Sequence, residues 1–187
     1  MSSTPSLDSD SASTPSRRIL FRGRKVDLAL QQVTLNDGSA AEREVVLHRG
    51  AVVLLPLFDD GRVCLIKNER YAVGETLLEL PAGTIDPGEP PEITAARELE
   101  EETGYAAGSV EKIREWYVSP GVMNEVMHLF VCRDLKPGRA DHQPDEKLET
   151  VIVAWDDALR MVREGEIEDA KTMLGILLWD RMRGQWV

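Results

Sequence analysis

Val26, Leu28 and Leu30 alternate with charged or small residues, and Val33 and Leu35 continue the pattern, a period of two that predicts a strand. Asn36-Asp37-Gly38 supplies a turn, and Glu44–His48 reads as the returning strand of a small hairpin-like sheet. Ala51–Leu57 is a continuous apolar run, the pattern of a strand covered on both faces. Asp59-Asp60-Gly61 turns the chain into a strand at Val63–Lys67, and Thr76–Leu80 is a third short one. After Pro90-Pro91 the spacing is helical as far as Thr103, where Gly104 is a good stop. Strands are predicted at about Ile113–Val118, Met127–Arg133 and Thr150–Ala154, and helices at Asp156–Glu164 and Asp169–Met182. In the last helix Met173, Leu174, Leu177 and Leu178 form an apolar stripe that predicts its buried face. Mixed strands with helices outside them predict an α/β sandwich.

Ahead of these elements the chain changes character. Residues 1–17 are mostly Ser, Thr, Pro, Asp and Ala, a composition that cannot bury enough surface to offset its ordering entropy, so a disordered tail is expected there. Residues 18–48 then form an N-terminal β subdomain, and residues 49–187 the main domain, a division that suits 187 residues.

Charge narrows the partners. Thirty-three acids against 22 bases give a formal net charge of -11, which argues against a nucleic-acid backbone or an anionic membrane as the main partner. A small phosphorylated ligand stays open, because divalent metal mediates between carboxylates and phosphate oxygens. Ala51–Phe58, among the longest apolar stretches, is far too short to span a bilayer. Cys64 and Cys132 both sit in strand-like runs and read as buried free thiols. The start of the chain lacks a positive-then-apolar arrangement, so a reducing cytoplasm is the expected location.

Gly83 to Tyr105, GTIDPGEPPEITAARELEEETGY, carries the chemistry. Within the predicted helix Glu98 lies three residues from Glu101 and four from Glu102, so the three carboxylates share a face where like charges repel. Arg97 is the only base nearby. Such a run fits a solvated face. It equally fits a metal site, because the extended Leu-Leu-Glu-Leu-Pro-Ala-Gly and a glycine-containing loop lead straight into the helix. A strand, loop and helix in that order can set backbone carbonyls beside carboxylates, the hard oxygen set that Mg²⁺ or Mn²⁺ takes.

The same residues resemble the Nudix box, G-x5-E-x7-R-E-U-x-E-E-x-G-U with U a bulky aliphatic. Gly83, Glu89, Arg97, Glu98, Glu101, Glu102 and Gly104 match every fixed position, Leu99 fills the first U, and Tyr105 fills the second with an aromatic. Nine demanded positions over 23 residues make the resemblance specific. It implies a Nudix-type α/β/α sandwich with a mixed sheet, and a hydrolase of nucleoside diphosphates linked to another moiety, working with divalent metal. It further implies Glu98, Glu102 and the carbonyl of Ala82 as metal ligands, Glu101 in support, Arg97 orienting a glutamate, and Glu89 bracing the loop or Arg97.

ERYAVGETLLELPAGTID resembles the ADP-ribose pyrophosphatase branch of that family, as does Pro120, fifteen residues past Tyr105. The resemblance covers roughly Gly50 to Trp155 and implies hydrolysis of ADP-ribose to AMP and ribose 5-phosphate. It places Arg70, Glu125 and Arg49 at the substrate and Glu146 as general base. On the residues alone, Arg70 also fits a surface pair with Glu69 or Glu75, and Asp145 and Glu149 compete with Glu146. Relatives carry an aromatic before the arginine where this chain has Lys67-Asn68-Glu69, which keeps GDP-mannose and other nucleoside diphosphate sugars open as substrates. A sensor that binds ADP-ribose without cleaving it is a further reading, although the chain keeps every box glutamate and has no basic helix-turn-helix. The branch also implies a homodimer formed through residues 18–48. His48, His128 and His142 lack metal-ligand spacing.

Overall fold

Residues 16–141 and 147–185 are described by a computed structural model. The predicted tail therefore lies almost wholly outside the described residues, as do His142, Asp145 and Glu146.

The N-terminal piece is a three-stranded antiparallel sheet of β1 (Arg17–Arg22), β2 (Val26–Thr34) and β3 (Ala40–His48). The predicted turn is present: the Asp37 carboxylate accepts from the Ser39 N–H at 2.9 Å, and Gly38 takes the positive φ of 83° that a side chain would strain. β1 was not expected. Five of its six residues are exposed, so it has no apolar alternation to read, and it is held by its ladder to β2.

Two further sheets build the main body. In the first, β7 (Ala82–Thr84), β4 (Ala51–Pro56), β9 (Val126–Pro137) and β8 (Tyr105–Tyr117) lie in that order, with β4 and β9 parallel and the outer pairs antiparallel. In the second, β5 (Arg62–Arg70) runs between β10 (Leu148–Ala154) and β6 (Glu75–Glu79). The apolar run of β4 has the reason its sequence suggests. Val52 and Leu54 face α1 (Pro91–Thr103) with Ala95, Leu99 and Phe130, while Val53 and Leu55 face the other way. There they meet α2 (Trp155–Glu164) and α3 (Ala170–Met182) through Trp155, Ala158, Ile176 and Trp179. Helices on both faces of a mixed sheet make this an α/β/α sandwich. Cys64 and Cys132 are buried free thiols, as expected. Among the described residues no helix is long and apolar enough to cross a membrane.

Two expectations are corrected. β8 begins at Tyr105, eight residues before Ile113, because Gly104 in the left-handed region (φ 73°) turns the chain from α1 directly into the strand. Its first half, with Ala106, Ala107 and Gly108, has little apolar signal and is set by pairing with β9. In α3 the buried positions are Thr172, Gly175, Ile176 and Trp179; of the predicted stripe Met173 and Leu178 pack half-buried against the core, whereas Leu177 is 51% exposed and Leu174 is exposed as well. Gly175 explains the rotation: a Cβ there would lie 2.7 Å from Leu80 Cδ1, so the helix rests on its smallest residue and brings Trp179 inward.

Candidate active site

The site forms where the edge strand β7 meets α1. Leu54 N–H donates to the Pro81 carbonyl at 2.9 Å and Ile85 N–H to the Gly50 carbonyl at 3.1 Å. Antiparallel pairs alternate between bonded and unbonded, so Val53 and Ala82, one step from the first of these, form an unbonded pair. Both backbone polar groups of Ala82 therefore point away from β4. Its N–H donates to Glu102 Oε2 at 2.8 Å. The neighbouring Gly83 has no side chain for a plain reason: a Cβ there would stand 1.9 Å from Glu98 Cδ. Two carboxylates from one helix face thus reach two consecutive residues of one strand, and Glu102 is buried while doing so.

Arg97 binds the cluster from the other side. Its Nη1 donates to Glu98 at 2.8 Å and to Glu101 at 3.0 Å, and its Nη2 donates to Glu89 at 3.0 Å. These partners raise the guanidinium pKa, the hydrogen bond to Glu89 most, and Arg97 in turn lowers the Glu89 pKa with help from the Thr94 hydroxyl. Glu89 braces Arg97, as the sequence suggested. Asp86 lies 3.9 Å from Arg97 and 3.8 Å from Arg49, so Arg49 joins the same rim.

Arg70 takes neither pairing expected of a surface arginine. It forks onto Glu79, Nε to Oε1 at 2.8 Å and Nη2 to Oε2 at 2.6 Å. That hydrogen bonding raises its pKa, with smaller contributions from the charges of Glu79, Glu102 and Asp169, which places Arg70 within the electrostatic reach of the box. Glu125 immediately precedes β9. Its Oε1 lies 3.3 Å from His48 Nδ1, both side chains being largely buried. Next to it, the Val126 carbonyl comes within 3.1 Å of where a Cβ on Gly50 would sit, and Gly50 accepts from Ile85, two residues past Gly83. Of the acids competing for the role of base, Glu149 on β10 is paired with Lys67 at 3.1 Å, and Glu146 lies outside the described residues.

Sequence reasoning missed Asp86, Glu79 and Lys171. Glu79 had one signal, a lone acid inside Leu-Leu-Glu-Leu, where burial demands a partner. Among the described residues no three His, Cys, Asp or Glu side chains are gathered so as to hold a metal by themselves. A cation here would need backbone oxygen as well, and the outward-turned Ala82 carbonyl beside Glu98 and Glu102 meets that need. The donor set is all hard oxygen, which fits Mg²⁺ or Mn²⁺.

The chain is similar to known proteins over most of its length. The NUDIX domain profile matches residues 47–174. An ADP-ribose pyrophosphatase of Bacillus subtilis is 40% identical over 165 residues, covering 87% of this chain and 89% of that protein. A GDP-mannose pyrophosphatase of Cronobacter sakazakii is 36% identical over 155 residues, 74% of this chain and 81% of that one. Among solved structures, the crystal structure of an ADP compounds hydrolase superposes with a TM-score of 0.76 at 23% identity, covering 94% of this chain and 98% of that one.

Proposed function

The chain belongs to the NUDIX domain family, and from that membership we propose that it hydrolyses the pyrophosphate bond of ADP-ribose to AMP and ribose 5-phosphate, with Mg²⁺ at the junction of β7 and α1. The observation that carries the reading is the joint approach of Glu98 to Gly83 and of Glu102 to the Ala82 N–H. Nudix hydrolases work with divalent metal, and Glu98, Glu102 and the Ala82 carbonyl are the residues that would hold it, with Mn²⁺ as a substitute. When bound, such a cation offsets the charge of the pyrophosphate linkage and acidifies water.

The chain's own groups do the rest. Arg97 holds Glu98 and Glu101 in place against their mutual repulsion. Arg70, Arg49 and Glu125 bind the substrate, with Arg70 keeping one edge of its guanidinium for a phosphate or the terminal ribose. Glu146 takes the proton from the attacking water as general base.

A second reading, hydrolysis of GDP-mannose or another nucleoside diphosphate sugar, draws support from β5. Where relatives carry a base-stacking aromatic, Lys67 and Glu69 are engaged with Glu149 and Lys147, at 3.1 and 2.6 Å. Dimerisation through residues 18–48 has support in Leu20, Phe21, Val26 and Leu28, all exposed on the N-terminal sheet. Light scattering on a Phe21→Asp, Leu28→Asp variant tests it, and an unchanged dimer mass would refute it.

Hydrolysis of ADP-ribose, GDP-mannose, a UDP-sugar and a dinucleotide, each with Mg²⁺ or a chelator and with products identified, tests the proposal. AMP and ribose 5-phosphate formed with at least about tenfold preference for ADP-ribose, a difference near 1.4 kcal/mol in the transition state, support it. Tight ADP-ribose binding without cleavage of any substrate would overturn it in favour of a sensor.

A further inference from the structure

Glu79 is the last residue of β6 and only 1% exposed. A carboxylate buried that deeply must be fully partnered, and this one is reached by two cations from opposite elements, Arg70 of β5 and Lys171 of α3. Lys171 also reaches Asp169 at 2.9 Å, so two acids and two bases form one ion-paired group, buried except on the Arg70 side.

The register shows how unusual the pose of Arg70 is. Across the ladder Arg70 stands opposite Glu75, while Glu79 stands opposite Ile66, four residues back along β5. The Arg70 side chain therefore lies down along its own strand to reach Glu79, when a free arginine would extend into water. Stapling α3 to β6 does not require this. The Thr172 hydroxyl already accepts from the Leu80 N–H at 2.8 Å, and Asp169 accepts from the Thr172 N–H at 3.0 Å. What the Glu79 fork adds is the fixed direction of a guanidinium. It consumes Nε and one proton of Nη2, leaving Nη1 and the other Nη2 proton as donors that no group among the described residues takes up. The Arg70 side chain is 39% exposed, so part of it remains within reach of a ligand while the edge on Glu79 is locked.

We infer that Glu79 is a positioning residue for substrate binding: it locks the inner edge of the Arg70 guanidinium so that the outer edge meets the substrate's phosphate or terminal ribose already oriented. The inference rests on the reading of Arg70 as a substrate contact given above. Preorganising a donor fork lowers the ordering cost of binding, so its loss raises KM while kcat is nearly spared.

The test measures KM and kcat for ADP-ribose, and the thermal midpoint, in wild type, Glu79→Gln, Arg70→Lys, the Glu79→Gln/Arg70→Lys double variant and Ile176→Val. Arg70→Lys should raise KM about tenfold, because lysine lacks the planar fork. Glu79→Gln should do nearly the same with Arg70 intact and kcat within about threefold, and the double variant should be no worse than Arg70→Lys. Ile176→Val, a loss of buried volume in α3, should lower the midpoint and leave KM alone. Glu79→Gln with a wild-type KM and only a lowered midpoint overturns the inference. Arg70→Lys with a wild-type KM overturns instead the reading of Arg70 beneath it. If Glu79→Gln does not fold, Glu79→Asp decides: it keeps the charge but is one methylene short, and an unchanged KM would refute the positioning role.

Discussion

The Glu98 carboxylate occupies the space in which a side chain on Gly83 would begin, with its Cδ 1.9 Å and its Cγ 2.3 Å from where that Cβ would be. The first glycine of the box is thus a vacancy in β7 that a helical carboxylate fills, and the two residues are read as one unit.

Gly83→Ala should consequently displace Glu98 rather than unfold the protein, since the clashing atoms belong to a flexible side chain. Misplacing a reacting group by about 1 Å can cost on the order of a hundredfold in rate. A fall of that size in kcat for ADP-ribose, with the melting temperature lowered by only a few degrees, is expected. A wild-type kcat would show that Glu98 has no part in the chemistry.

Glu102→Gln keeps an oxygen that can accept from the Ala82 N–H, so the fold should survive while the charge is lost. Removing one element of electrostatic stabilisation commonly costs about 10²–10³ in kcat. Circular dichroism should be unchanged and turnover nearly abolished, and wild-type turnover would refute the ligand assignment.

Acid stability should depend on Glu89. Its pKa lies below the ordinary value of 4.5, held there first by the Arg97 guanidinium and then by the Thr94 hydroxyl. A depressed carboxylate pKa contributes stability that is fully present above 4.5 and is lost as pH falls through the folded value. Melting curves from about pH 6 to about pH 3 should therefore fall less steeply for Glu89→Gln than for wild type. Parallel curves would mean that the Arg97 pairing adds nothing to stability.

Burial pushes both cysteine thiols up to about 12. At about pH 8 roughly one in ten thousand would be thiolate, the reactive form. A disulfide reagent should find almost no thiol in the folded protein and both in denaturant. Rapid reaction of the native state would show that β5 or β9 opens locally.

Much of this protein is legible along the chain because its signals are local. The limits of α1 follow from Pro90-Pro91 and Gly104, and the shared face of Glu98, Glu101 and Glu102 follows from helical spacing alone. β4 shows itself by an unbroken apolar run, since a strand between two helical layers has no wet face. β7 does not: three residues with one glycine have no period, and only the ladder to β4 makes them a strand. Only half of the α3 stripe, Met173 and Leu178, meets the core, for a related reason. Leucines at helical spacing mark an apolar stripe, but Gly175 against Leu80 decides which stripe can approach the sheet.

The sequence by itself determined the family, the reaction class and the residues of the box, because their chemistry depends on spacing within one helix and the loop before it. Tertiary structure alone decided what those residues meet. Ala82 turns its backbone toward Glu102 because of an antiparallel register. Arg70 lies back onto Glu79, and Lys171 arrives there from 92 residues away. Burial compels such partnerships, since a charge out of water must be matched, but it does not say which distant cation will supply the match. That choice belongs to the packing of α3 on the sheet.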